Sequence, residues 1–218
     1  MLASASPRRR EILSEIGILF DVQPSTIEER AEPGESAAVL VERLAREKAL
    51  DVAQRLAAEP ARAVLGADTV VVIDGEILGK PRDASHAVEM LSRLVGRGHQ
   101  VMTGIALAWS DGRAVESRVV TSTVEMRAAT RAELAAYVAE GESLDKAGAY
   151  AIQGGASRFI TRLVGSRTNV IGLPREETLA MLARGGAVNS ANTANTADGV
   201  NTANGSGAAA GPDAGSDR

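Results

Sequence analysis

The sequence predicts an α/β domain built on a mixed, twisted sheet flanked by helices. Three observations carry that expectation. β-branched runs such as Val64 to Ile73 alternate with helical stripes such as Val41, Leu44, Ala45, Ala49, Val52 and Leu56. Two Asp-Gly dipeptides, Asp74-Gly75 and Asp111-Gly112, fold neighbouring strands into hairpins, which excludes an all-parallel sheet. With 44% hydrophobic residues in 218, the chain has enough apolar surface for one core.

In chain order, a short apolar start (Met1 to Ala3) passes through Ser4-Ala5-Ser6-Pro7 into a helix from Arg8 to Ile16, with Pro7 at its first turn and Gly17 at its end. A strand is expected over Leu19 to Gln23, then a long helix over Ser36 to Ala57 carrying the apolar stripe named above. Val64 to Ile73 forms a strand that turns at Asp74-Gly75 onto Ile77-Leu78, and Pro81 breaks the run. Asp83 caps a helix through Leu94, stopped by Gly96. Strands over Gln100 to Ala108 and Arg113 to Met126 meet at Asp111-Gly112. Thr130-Arg131-Ala132-Glu133 has the spacing of a capping box and opens a helix to Ala139. Glycine-rich loops surround Tyr150 to Gly155, a last strand covers Phe159 to Val164, and a helix starts at Pro174.

From Gly185 to Arg218 the composition collapses into Ala, Asn, Thr, Gly and Ser, which cannot bury enough surface to offset the entropy of ordering. The reading is therefore a domain over residues 1–184 and a disordered low-complexity tail over 185–218. A formal net charge of −4 and a 2% aromatic content argue against a nucleic-acid binder, which needs a basic surface and stacking platforms. There is no cysteine, so thiolate metal sites and disulfides are excluded. No segment reads as a signal peptide or membrane span, and the expected location is cytoplasmic, with small molecules rather than nucleic acid or membrane as partners.

Only three of the 24 basic residues are lysine: Lys48, Lys80 and Lys146. Lysine is a compact charge on a flexible stem, suited to following a phosphate oxygen, so each lysine in so arginine-rich a chain draws interest. Lys48 sits one position from the long helix's apolar stripe; Lys80 precedes Pro81, which restricts it to an extended backbone. The Ser4 to Arg10 segment opens a helix whose first-turn amides are free to hold an anion, with arginines beside them. Asp68, in Gly66-Ala67-Asp68-Thr69, places a carboxylate inside an apolar strand, and such a group needs a metal or a proton-transfer role to offset its burial. Glu28 and Glu29 offer hard oxygen ligands for Mg²⁺. Lys146 and Gln153 flank a loop of small residues, and a glutamine amide there can read a base edge. His86 and His99 lack metal-ligand spacing and are expected at the surface.

Taken together, Leu2-Ala3-Ser4-Ala5-Ser6-Pro7-Arg8-Arg9, Glu28-Glu29, Arg46-Glu47-Lys48-Ala49, Gly66-Ala67-Asp68-Thr69, Lys80-Pro81-Arg82, Asp145-Lys146-Ala147-Gly148-Ala149-Tyr150 with Ile152-Gln153-Gly154, and Gly172-Leu173-Pro174 resemble the Maf family of nucleoside triphosphate pyrophosphatases. The resemblance runs in order from residue 1 to about 184. It implies a fold similar to that of inosine triphosphate pyrophosphatases, with a cleft between two lobes, a divalent cation (Mg²⁺ or Mn²⁺), cleavage of the α–β anhydride of a nucleoside triphosphate, and a homodimer. It also implies roles. Asp68 would accept the proton of the attacking water and neighbour the metal, with Glu29 as second metal ligand. Ser4, Ser6, Arg8, Arg9, Lys48 and Lys80 would bind phosphate, and Arg8, Thr69 and Gln153 would set substrate choice. The Asp-Lys-Ala-Gly and Gln-Gly pattern is similar to that of the dTTP/UTP branch, whereas the 7-methyl-GTP branch typically carries glutamate at the position of Gln153. Arg167 departs from the family pattern, which has an aromatic residue there. Two alternatives stay open at this point: a 7-methyl-GTP pyrophosphatase of the same family, and a nucleotide-binding regulator of septum formation that needs no turnover.

Overall fold

The computed structural model describes residues 1–57 and 60–188; the rest of the predicted low-complexity tail lies outside the described residues. The elements are α1 (Pro7–Glu15), α2 (Ala37–Gln54), β1 (Ala63–Ile73), β2 (Glu76–Leu78), α3 (Ala84–Leu94), β3 (Gly98–Trp109), β4 (Glu116–Met126), α4 (Arg131–Ala139), β5 (Ile160–Val164), α5 (Arg167–Ile171) and α6 (Arg175–Arg184). The strands form one sheet in the order β2-β1-β3-β4-β5, with every neighbouring pair antiparallel. The mixed character expected from the sequence survives only at Leu2, which makes isolated parallel bridges to Val22 and to Leu65.

The two faces of the sheet are covered differently. On one face lies α2, whose Val41, Leu44, Ala45, Ala49 and Val52 pack on Val64, Val70, Val72, Ala106 and Ala108. The helix comes very close because two glycines face it. A Cβ on Gly66 would sit 2.2 Å from the Ala45 carbonyl oxygen, and one on Gly104 would sit 2.1 Å from that of Val41. On the opposite face, α1 and α6 cover Leu65, Ala67, Ile105 and Leu107, while α3 and α4 cover Val71, Ile73, Val101 and Val124. Between these two apolar clusters the rows of β1 and β3 are interrupted by Thr69 and Thr103, which stand opposite each other in the register. The cleft expected between two lobes is this polar seam.

The edge of β1 is also divided. Leu65 is bridged by Leu2 and Val71 pairs with Leu78 of β2, so residues 66 to 70 have no strand partner on that side. The chain leaves the Leu2 bridge and turns into α1 beside this gap, where Asp68 lies.

Several expected elements hold closely. Asp83 caps α3 by accepting from the His86 amide, and Thr130 and Glu133 form both bonds of the capping box on α4. Others differ for identifiable reasons. The strand expected at Leu19 to Gln23 does not form; Leu19 is fully exposed and only Val22 bridges Leu2, because the Met1 to Ala3 partner is too short for a ladder. The five-residue α5 has no apolar period to betray it; Ser166 caps it by accepting from Asn169, and Gly172 ends it at φ 125°. The chain remains packed past the expected boundary at Arg184. Ala187 and Val188 lie against the cluster under α1 and α6, and the Ala187 amide donates to the Leu182 carbonyl.

Gly104→Ala would force α2 off the sheet, because the atom in its way is backbone and cannot rotate aside. Overpacking of this kind costs about 2–3 kcal/mol; the expected outcome is a fall in the thermal midpoint of roughly 5–10 °C by calorimetry.

Candidate functional site

A cavity of about 350 Å³ opens at the gap in the β1 edge and runs into the seam. Its walls come from the Ser4 to Arg9 turn, from Glu29, Asp68, Thr69 and Lys80, and from the Asp145 to Ala147 loop with Tyr150. Most residues singled out in the sequence therefore converge here, although they are spread along the chain from Ser4 to Lys146.

Asp68 is 6% exposed and Lys48, reaching over the edge of α2, is 5% exposed. The Lys48 ammonium donates to Asp68 Oδ1 at 2.6 Å and to Glu29 Oε1 at 2.6 Å. One buried cation thus holds two carboxylates, and among the described residues no protein group donates to Asp68 Oδ2. The Glu29 side chain is half-exposed, with its second oxygen 3.7 Å from the Lys80 ammonium. Burial would raise the pKa of Glu29, but the Lys48 hydrogen bond and charge, with Lys80 and Arg9, hold it below the ordinary carboxylate value. The irregular segment carrying Glu29 is tied to α2 on both sides. The Ser25 hydroxyl and Thr26 amide donate to Asp51, and Arg43 donates to the Arg30 carbonyl while gripping Glu35. Glu28, its neighbour in sequence, is exposed and does not line the cavity.

Arg9 is largely committed to the protein. Its Nε donates to the Gly172 carbonyl at 2.8 Å and its two terminal nitrogens donate to Ser4 Oγ at 3.0 Å and Thr69 Oγ1 at 3.1 Å. It ties α1, β1 and the turn after α5 into one corner of the cavity. Burial lowers its pKa, opposed by Asp68 and Glu29 and assisted by Arg8. Thr103 donates to the Asn169 carbonyl, so Thr69 donates its own proton to Thr103 and accepts from Arg9. The Thr69 hydroxyl is fixed in direction by this chain. Ser4 Oγ accepts from Arg9 and from the Ser6 amide. Ser6 makes no side-chain cap to α1, which leaves the first-turn amides for an anion, and Arg8 stands on the same turn at the cavity wall.

Lys48, expected to bind phosphate, does not line the cavity and is spent on Asp68 and Glu29, as Arg9 is spent on Gly172, Ser4 and Thr69; two further residues lie away from their expected places. Gln153 is exposed and is not among the lining residues: Ile152 turns into the core, so the next side chain faces solvent. His99, expected at the surface, is 3% exposed. It stands on the inward row of β3 with Val101, Thr103 and Ile105, and that alternation was the signal that could have found it. Its Nε2 pairs with the Tyr150 hydroxyl at 2.7 Å, with the two rings edge to face. Burial pulls its pKa down to about 4. His86 is half-buried, its Nδ1 accepting from the Arg82 amide.

As chemistry, the site offers a buried acid hydrogen-bonded by a lysine, a second carboxylate, a helix start with free amides, and the cations Arg8 and Lys80. That set suits hydrolysis of a phosphoanhydride. For a divalent cation, Asp68 and Glu29 touch a common ammonium and so face one point. Among the described residues no group of three or more potential ligands gathers into a cage. Two carboxylates suit Mg²⁺ when it draws its remaining ligands from water and substrate phosphates. No described helix is long and apolar enough to cross a membrane.

The family described as Maf-like protein matches residues 1–185. A dTTP/UTP pyrophosphatase of Myxococcus xanthus (strain DK1622) is 51% identical over 186 residues, 85% of this chain and 92% of that protein. One of Escherichia coli O157:H7 is 49% identical over 188 residues, 86% of this chain and 93% of that protein. A nucleoside triphosphate pyrophosphatase of Shigella flexneri is 48% identical over 188 residues, with the same coverage as the Escherichia coli protein.

The low pKa of His99 has a consequence for acid stability. Between pH 6.5, its ordinary pKa, and about 4, the unfolded chain binds a proton that the folded chain refuses. Stability due to His99 is therefore complete above pH 6.5 and is lost as the pH falls toward 4. Unfolding free energies from urea titrations at pH 7.5 and pH 5 should differ by about 2 kcal/mol more in the native protein than in His99→Phe.

Proposed function

That this chain belongs to the Maf-like family is the premise from which we propose its activity, the hydrolysis of dTTP and UTP to the nucleoside monophosphate and pyrophosphate. The observation that carries the reading is the buried Lys48 ammonium shared by Asp68 and Glu29, two carboxylates that line a nucleotide-sized cavity. Relatives about half identical over nearly the whole domain are named for that activity. A protein that only bound triphosphates would gain nothing from two carboxylates facing the anion, whereas hydrolysis needs a proton acceptor there.

In this reading the triphosphate lies with its phosphates against the Ser4 to Arg8 turn and Lys80. Amides of the helix start and the two side-chain cations offset charge on the departing pyrophosphate. Asp68 Oδ2 takes the proton of a water that attacks the α-phosphorus, the electrons of the breaking bond passing to the bridging oxygen on the β-phosphate. Lys48 orients Asp68 by its hydrogen bond to Oδ1. Arg9 acts through Thr69 and Ser4, holding the wall in place rather than offering its fork to phosphate. Asp68 and Glu29 would hold a divalent cation, which when bound supplies Lewis-acid polarisation of the phosphoryl oxygens. Gln153, at the far end of the Tyr150 loop, keeps the role in substrate preference that the family resemblance implies, from outside the cavity wall. We place the reaction in the cytoplasm and the protein as a homodimer on the same resemblance.

Pyrophosphate release from canonical and methylated nucleoside triphosphates with Mg²⁺ or Mn²⁺ tests the reading. The native protein is expected to act on dTTP and UTP and to lose activity on chelation; Asp68→Asn should lower kcat by about 100-fold or more. Equal rates for native protein and Asp68→Asn would remove Asp68 as proton acceptor. A preference for 7-methyl-GTP would overturn the substrate. Gln153→Glu should weaken turnover of dTTP and UTP relative to 7-methyl-GTP.

A further inference from the structure

dTTP and UTP differ at the C5 methyl and at the 2′-hydroxyl. What they share against cytosine nucleotides is one edge of the base, a C4 carbonyl acceptor beside an N3–H donor, where cytosine presents an amino donor beside an N3 acceptor. A site that takes both thymine and uracil must read that edge, and it needs a donor and an acceptor held side by side.

The cavity wall carries such a pair on the loop bonded to Gly79. Lys146 donates to Asp145 at 2.6 Å, both line the cavity, and the Lys146 side chain is only 15% exposed. The pair borders the apolar part of the wall, where Val71, Val101, Tyr150 and Val170 offer surfaces for a flat ring. Its loop is held unusually firmly. The Gly148 amide donates to the Gly79 carbonyl, next to Lys80, and a Cβ on Gly148 would meet Val71 at 2.9 Å. Ala149, fully buried, takes φ 64°, a left-handed conformation that a residue with a Cβ adopts only under constraint. Tyr150 is fixed on the far side by His99. Burial would raise the pKa of Asp145, but the Lys146 hydrogen bond and charge, with a smaller contribution from Arg8, hold it below the ordinary carboxylate value, so at neutral pH it accepts.

We infer that Asp145 and Lys146 are the base-reading residues of this enzyme, Lys146 donating to O4 and Asp145 accepting from N3–H of a thymine or uracil. The inference rests on the proposed activity and deepens it. Cytosine reverses both groups, placing its amino donor against the ammonium and its bare N3 against the carboxylate. Gln153, outside the wall, would then act on preference indirectly.

The test is kcat/KM for pyrophosphate release from UTP and CTP. Lys146→Met should lose about 10–100-fold on UTP while changing on CTP by less than about threefold. Asp145→Asn, whose amide can turn either a donor or an acceptor to the base, should raise CTP relative to UTP by about fivefold or more. A third measurement needs no variant: N3-methyl-UTP, which lacks the N3–H, should be turned over by the native protein about 10-fold less efficiently than UTP. Equal turnover of N3-methyl-UTP and UTP, or a parallel loss on UTP and CTP in Lys146→Met, would overturn the inference and leave the activity standing. Failure of the native protein to release pyrophosphate from either UTP or dTTP would instead overturn the activity, and this inference with it.

Discussion

The structure depends on pairing one buried carboxylate, Asp68, inside an apolar strand. Asp68 is nearly inaccessible, and an isolated ion there would be several kcal/mol too costly. Lys48 offsets that cost, but only because α2 lies close enough for its side chain to reach β1. That closeness in turn requires residues without side chains at the two crossing points, Gly66 and Gly104. The same ammonium then captures Glu29 from an irregular segment that Asp51 and Arg43 fasten to α2. Helix depth, strand charge and loop position are therefore one problem with one solution.

The cavity has a comparable logic on the other side of the sheet. Two apolar clusters would merge across β1 and β3 if those rows stayed hydrophobic. Thr69 and Thr103 interrupt them at the same level, and their hydroxyls are consumed in a directed chain from Arg9 to the Asn169 carbonyl. The polar groups that part the clusters are thus fully paired and rigid. Bonding capacity for a ligand is left to other groups of the wall, among them Asp68 Oδ2, Glu29, the helix-start amides, Lys80, Arg8 and the Asp145 and Lys146 pair.

Much of this was legible in the sequence because local rules suffice for it. The hairpin at Asp74-Gly75, the caps at Asp83 and Thr130, and the long helix each rest on residues a few positions apart. Asp68 was legible as a carboxylate in an apolar run, and the family resemblance joined it to Lys48 and Glu29. What could not be read depends on distant partners. Leu19 to Gln23 has strand-like residues but meets only the single bridging Leu2. Arg9 looks like a free phosphate ligand until Gly172, more than 160 positions away, is seen to take its Nε. Gln153 and His99 exchange their expected places because one follows the buried Ile152 and the other lies on the inward row of β3.

The bare stretch of β1 has a meaning beyond chemistry. A strand edge with unpaired amides and carbonyls is a template on which another chain can add. In most proteins such an edge is guarded by charges that serve no other end. Here the groups beside the edge are themselves charged: Asp68 with its lysine, and the arginine-bearing turn that leads on from the Leu2 bridge. Replacing Asp68 and these arginines by apolar residues would therefore uncover a strand edge on which another chain can add.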